Sequence, residues 1–394
     1  MNDAARLQAS RRLHAVQAPI VAVVGEMVRR TADTISLAQG VVYYDPPDEA
    51  LRAVQTFMEA GGRHQYGPVQ GEEQLLNAIS EKLRRENGIQ ITPDSRRCVV
   101  VTAGANMGFL NALFAVTDPG DEIILPSPYY FNHEMAVRML NCVPVSVATD
   151  ENYQPRLDAL RAAIGSRTRA IVTISPNNPT GAVYSQATLE AVNRLCAEHA
   201  LYHISDEAYE HFTYDGVRHI SAGAIPDSTS HTISLYSLSK SYGFAGWRIG
   251  YMVIPEHLFD AVLKTQDTNL ICATRIAQHA AVAALETSPA YRERHLATLS
   301  SVRKAVRQEL QTLSPGCRIS DSPGAFYLFL RLETEMPPMT MVEKLIHEHK
   351  VAVLPGHAFG FSTGCYLRVS YGALRPEAAV AGIRRLAQGI RALI

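Results

Sequence analysis

Lys240 stands in the run SLSKSYGFAGWR (residues 237–248), flanked by the hydroxyls of Ser237 and Ser239 and followed eight positions later by Arg248. An amine among small hydroxyl donors, beside a guanidinium and turn-forming glycines, has the chemistry of a covalent anchor next to an anion cradle. Upstream, SPNNPTG (175–181) holds Asn177 and Asn178 between prolines as a rigid polar loop. DEAY (206–209) offers a carboxylate and, three residues on, a phenol. Asp206 reads either as a helix N-cap with Tyr209 at the surface, or as the acid of a site. AGANM (103–107) reads either as an ordinary helix start or as free backbone N–H groups suited to a phosphate.

Each of these four stretches follows a short run rich in β-branched and other apolar residues. Strands are predicted at 98–102, 122–125, 142–147, 170–174, 202–205 and 231–236, with helices at 106–116, 132–140, 155–164 and 186–199 between them. That alternation implies crossover connections and an α/β fold, a mainly parallel sheet flanked by helices. In open sheets of this kind ligands gather at the carboxyl ends of the strands, where all four stretches fall. Beyond residue 275 the pattern changes. A helical stretch over 275–313, breaking near Ser288-Pro289, precedes strands at 326–330, 351–354 and 366–370 and an amphipathic helix at 376–393. This suggests a smaller α+β domain. The expected division is a segment 1–45 packing on the small domain, a large domain 46–285 and a small domain 286–394.

Bulk properties narrow the partners. With 37 basic and 38 acidic residues in 394, the chain carries no basic field for nucleic acid, so a small molecule is expected. No apolar run reaches the roughly 18 residues of a membrane span. Met1–Leu7 lacks the basic start and apolar core of a secretory signal. Cysteines 98, 142, 196, 272, 317 and 365 are scattered without a Cys-x-x-Cys pair, which points to a reducing cytoplasm and away from disulfides or zinc. The histidines show no metal-ligand spacing, so no metal is expected.

Taken together, NPTG (178–181), Asp-x-x-Tyr (206–209) and Ser-x-Ser-Lys (237–240) with Arg248 resemble the class I/II, aspartate aminotransferase-like enzymes of fold type I. LAQG (37–40), YGPVQG (66–71), SPYY (127–130), PGAFY (323–327), LPG (354–356) and LRVSY (367–371) extend the resemblance over nearly the whole chain. The resemblance implies a pyridoxal 5′-phosphate aminotransferase that moves an amino group between an L-amino acid and a 2-oxo acid by a ping-pong route. It implies that Lys240 forms the Schiff base with the cofactor and then acts as the base. A neighbouring cation and desolvation would both depress its pKa for that role.

The same resemblance gives Asp206 to the ring nitrogen, Tyr209 and Asn178 to the ring oxygen, and Tyr130 to the ring face. It gives Ala105, Asn106, Ser237, Ser239 and Arg248 to the phosphate, and Arg368, Gly40 and Asn178 to the substrate carboxylate. Tyr66 would reach the phosphate of a neighbouring subunit, which implies a homodimer with shared sites. The strand alternation alone, without the motif, favours a solvent-facing Arg368.

Two departures matter. Asn106 stands where relatives often carry a lysine for a second carboxylate, so dicarboxylate specificity is open, with Arg275 a candidate substitute. Tyr43 and Tyr44 either shape a side-chain pocket or pack the N-terminal segment. Two other readings remain: a carbon–sulfur lyase or aminocyclopropane-carboxylate-synthase-like eliminase, and a cofactor-binding sensor. The sensor would carry a DNA-binding domain in front, against which the match beginning by residue 40 speaks.

Overall fold

The computed structural model describes residues 9–61 and 64–394; the expectation drawn from Met1–Leu7 lies outside them. Strand β1 (Ile35–Ser36) follows the helix Ile20–Arg30. Seven strands then build one sheet: β2 (Arg97–Thr102), β3 (Glu122–Ser127), β4 (Val143–Ala148), β5 (Thr168–Ile174), β6 (Tyr202–Asp206), β7 (Thr232–Ser237) and β8 (Gly250–Pro255). Their order is β2-β8-β7-β6-β5-β3-β4. Strands β3 to β7 run parallel, and β8 runs against both of its neighbours.

The central strands β7 and β8 are buried along their whole length, and the stretch Tyr251–Ile254 of β8 accordingly reads as a continuous apolar run. Helices cover both faces. Phe109, Leu113 and Val137 pack with Val100, Leu125 and Leu235, while Leu75, Ile79, Ala277 and Ala281 pack with Val99, Val101 and Tyr251. The mainly parallel sheet expected from the sequence is present, with the reversed β8 added. Its run Tyr251–Ile254, bounded by Gly250 and Pro255, carries the strand pattern but sits directly behind the Lys240 motif.

The second sheet is antiparallel, built from β9 (Cys317–Ile319), β10 (Tyr327–Leu332), β12 (Leu354–Pro355) and β13 (Cys365–Ser370) in the order β12-β13-β10-β9. Strand β11 (Val351–Ala352) instead pairs in parallel with β1. The single strand predicted at 351–354 is thus two short ones, because the chain leaves one sheet for the other at Val353. Helices Arg275–Glu286 and Ala290–Gln311 flank the break predicted near Ser288-Pro289. Leu299, Val306, Leu345, Ile383 and Leu386 share one apolar cluster with Ile20, Val24 and Leu37 from the N-terminal stretch.

Because β8 alone is reversed, the carboxyl ends of β2, β3, β5, β6 and β7 open on the same side of the sheet. The stretches singled out in the sequence all start there.

Candidate active site

A cavity of about 260 Å³ lies at these strand ends. Gly40, Ala105, Asn106, Tyr130, Asn178, Asp206, Tyr209, Ser237, Ser239, Lys240, Arg248 and Arg368 line it. Tyr66 does not; it is 78% exposed on the outside of the chain.

Lys240 rides a short helical turn, Leu238–Ser241, that β7 feeds directly. Ser237 caps the turn by accepting the N–H of Ser239 at 3.1 Å. The Lys240 Nζ donates to the Gly40 carbonyl at 2.5 Å. A Cβ on residue 40 would collide with the Tyr327 hydroxyl, so a glycine is required for this approach. Burial, then the cations Arg248 and Arg368, lower the Lys240 pKa to about 8 against the opposing pull of Asp206.

Arg248 holds its backbone in the left-handed region at φ +56°, a conformation that costs a non-glycine residue roughly 1 kcal/mol. Its guanidinium donates to the carbonyls of Ala103 at 3.0 Å and Ala245 at 2.8 Å, and to Ser239 Oγ at 3.4 Å. Gly104, at φ +79°, precedes the helix Ala105–Val116, and any Cβ there would strike that guanidinium. The first N–H groups of this helix, a cation and two serines therefore converge on one concavity. That arrangement suits a phosphate, and of the two readings of AGANM it favours the cradle.

Asp206, 5% exposed, accepts the Ala208 N–H at 3.1 Å. His133 Nε2 comes within 3.1 Å of its other oxygen, and neither buried ring nitrogen makes a hydrogen bond. The His133 ring is stacked on Phe109, 3.9 Å between centroids. Tyr209 is 6% exposed, so it is not the surface tyrosine of the simpler reading. Its hydroxyl shares a 2.6 Å hydrogen bond with that of Tyr327. Burial pushes the Tyr209 phenol well above its ordinary value and that of Tyr327 to about 12. The Tyr130 phenol accepts from the Asn132 amide at 2.8 Å.

Arg368 is 2% exposed, which removes the solvent-facing alternative. Its guanidinium donates to Asn178 Oδ1 at 3.1 Å and to the Ala38 carbonyl, and lies 4.7 Å over the Tyr327 ring. Its Nε has no partner. A buried cation with a spare donor, aimed into a cavity, is built to receive an anion.

Sequence reasoning passed over Tyr327, His133, Val21, Val41 and Phe131. Tyr327 closes the PGAFY motif and could have been carried over from it; His133 had no spacing signal. The two readings of Tyr43 and Tyr44 are also separated. Tyr44 stacks on His295 at 3.8 Å and its hydroxyl donates to the Lys240 carbonyl at 2.9 Å, while Tyr43 packs edge-on to both rings. Neither lines the site cavity. Arg275 pairs with Glu72 and borders a different cavity. Among the described residues no cluster of His, Cys, Asp and Glu could hold a metal ion, and no helix is long and apolar enough to cross a membrane.

The profile of the family "Aminotransferase class I and II" matches residues 32–386. An aromatic aminotransferase of Arabidopsis thaliana is 33% identical, the match covering 98% of this chain and 97% of that protein. An aspartate/prephenate aminotransferase of Thermus thermophilus is 34% identical over 92% of this chain and 94% of its own length. In three dimensions the chain superposes on the Thermus thermophilus aspartate aminotransferase with maleate at a TM-score of 0.89 and 33% identity, covering 97% of this chain and all of the other.

Proposed function

The chain belongs to the class I and II aminotransferases and is a transaminase, and on that footing we propose that it works with pyridoxal 5′-phosphate held by the residues lining the strand-end cavity. The observation that carries this reading is a single cavity joining an amine of lowered pKa, a buried carboxylate, a phosphate cradle and a buried arginine with a spare donor. The relatives described above all carry aminotransferase names, which leaves the elimination and sensor readings unsupported.

In this reading the helix start at Ala105 and Asn106, with Ser237, Ser239 and Arg248, holds the phosphate. Asp206 keeps the ring nitrogen protonated, Asn178 and Tyr209 bond the ring oxygen, and Tyr130 covers one ring face. Arg368, with Asn178 and the Gly40 backbone, takes the α-carboxylate as a two-pronged donor. Bound, the cofactor supplies an aldehyde for the amino group and a ring that accepts the electron pair of the α-carbon. Lys240 Nζ then takes and returns the α-proton. With a pKa of about 8, about a tenth of it is neutral at pH 7, against a few parts in ten thousand for an ordinary lysine.

Residues 46–285 form the cofactor-holding domain in this account, and 286–394, with the described part of segment 1–45 laid on it, the smaller domain. Tyr66, exposed here, completes the phosphate site of a second copy, so the working unit is a homodimer. Among the described residues no fourth cation joins Lys240, Arg248 and Arg368 in lining the pocket, and a donor panel against 2-oxoglutarate and pyruvate identifies the amino-acid side chain. Borohydride reduction of the cofactor-treated protein, followed by peptide mass mapping, should place a pyridoxyl adduct on Lys240. An adduct elsewhere, or none, would end this reading.

A further inference from the structure

The stretch Asp206–His211 has two faces. Asp206 and Tyr209 line the cavity, while Glu207 and Glu210 enter a buried polar cluster that the chemistry above does not use. Glu210 receives the Lys82 ammonium at 2.5 Å and the Asn87 amide at 2.7 Å. Lys82 also donates to Asn87 Oδ1 at 2.8 Å and sits 4.9 Å over the Tyr236 ring. Asn87 donates to Ser221 Oγ at 2.7 Å, and Ser221 donates to Glu207 Oε2 at 2.6 Å, which His219 Nε2 meets at 2.9 Å. Lys82 is 2% exposed and Glu207 fully buried.

Stability alone does not account for such a cluster. Ions this deep lose their hydration, and apolar replacements of similar volume are often neutral or better for the fold. What charged partners supply is direction, since their hydrogen bonds permit few geometries. The direction matters here because the anchored residues alternate in sequence with Asp206 and Tyr209. The next residue, His211, bonds Ser241 Oγ at 2.8 Å, directly beside Lys240. Against the opposing effect of burial, Lys82 and the histidines 211 and 219 hold the Glu210 carboxyl down at about 2, so it stays ionised across the working range.

We propose that Lys82, acting through Glu210 and Asn87, is a positioning residue for transamination: the cluster fixes the placement of Asp206 and Tyr209 relative to Lys240. This rests on the roles given to those three residues under the proposed function. The other charged groups nearby are His211, 3.8 Å from Glu210, and the Glu86–Arg292 pair beyond it.

The double variant Lys82→Met/Glu210→Leu removes both charges at once, so the net field at Lys240 changes little. Its melting temperature should stay within about 5 °C of the parent. Its kcat should fall about tenfold or more while KM for the amino acid moves by less than about twofold. In the cofactor-free full-length chain, reductive methylation of Lys240 followed across pH by peptide mass should titrate near 8 in the parent. In the double variant that midpoint should rise by about half a unit or more as water reaches the loosened turn.

A double variant equal to the parent in both kcat and midpoint would overturn the proposal and leave the cluster a packing feature. If it does not fold, Asn87→Ala, which keeps the ion pair, should show the same kcat-against-KM split and an upward midpoint, and parental values there would overturn it equally. A parent midpoint at the ordinary lysine value would instead sink the assignment of Lys240, a separate failure.

Discussion

Two cavities of about 260 Å³ each touch the Lys240–Ser241 turn, and they could hardly differ more in what their polar groups do. In the one bordered by Ser241, the polar side chains satisfy one another. Arg292 grips Glu86 with bonds of 2.8 and 2.7 Å, Glu86 meets His211 Nε2 at 2.9 Å, and His211 Nδ1 meets Ser241 at 2.8 Å. In the one bordered by Lys240, Arg368 Nε lacks a partner, and a helix start presents open N–H groups. Volume does not separate a binding site from a packing gap here. Unspent hydrogen-bonding capacity does, because a buried polar group without a partner costs free energy that a ligand can return.

The comparison can be broken at its strongest point first. Lys240→Ala should lower turnover by at least about 10⁴-fold and abolish the cofactor's pH-sensitive absorption band, with the fold intact by circular dichroism. Retained transamination would put the base elsewhere. Asp206→Ala should cost about 10³-fold in kcat, since the ring loses the anion that keeps it protonated; a loss of only a few-fold would remove the nitrogen contact.

The same lysine carries a stability signature. Its folded-state pKa of about 8 lies below the ordinary lysine value of about 10.5, so the unfolded chain binds more protons between those values and stability rises with pH across that window. Cofactor-free Lys240→Ala should accordingly be more stable than the parent below pH 8, by on the order of 3 kcal/mol. The gap should close toward pH 10.5 in urea titrations. A gap that does not change with pH would contradict the lowered pKa.

Arg368→Lys should raise the amino-acid KM about 100-fold, because an ammonium cannot make two parallel bonds to a carboxylate. Smallest and most pointed is a filling pair. Val41→Phe, in the site cavity, should raise KM about tenfold, whereas Leu296→Phe, in the cavity bordered by Ser241, should leave kcat and KM within about twofold. Equal effects would erase the distinction between the two cavities.

Most of the site was legible because it hangs on strand ends. A run of β-branched residues announces a strand, and whatever polar residues follow it must sit at the edge where ligands gather. This reached Asp206, Asn178, Ser237 and Lys240 directly. It could not reach His133, which lies inside the helix Phe131–Met139 between Asn132 and Glu134 and meets Asp206 only through tertiary packing. Arg368 was ambiguous for a different reason: alternation on a strand says that one face is buried without saying which. Tyr44 misleads in the opposite direction, being near the site in sequence and contact yet turned toward His295. Strand β8 escaped notice because the reading passed from the Lys240–Arg248 motif straight to the helical stretch at 275 and assigned no element between them.

That overlooked strand has a mechanical consequence. Since β8 doubles back along β7, Gly250 sits on the same rung as Ser237. Residues 238–249 therefore leave and rejoin the sheet at one place, like a drawstring pouch with a fixed mouth. Lengthening or shortening that pouch would change the spacing between amine and guanidinium while leaving every other rung where it is, so cofactor grip could be retuned without rebuilding the scaffold.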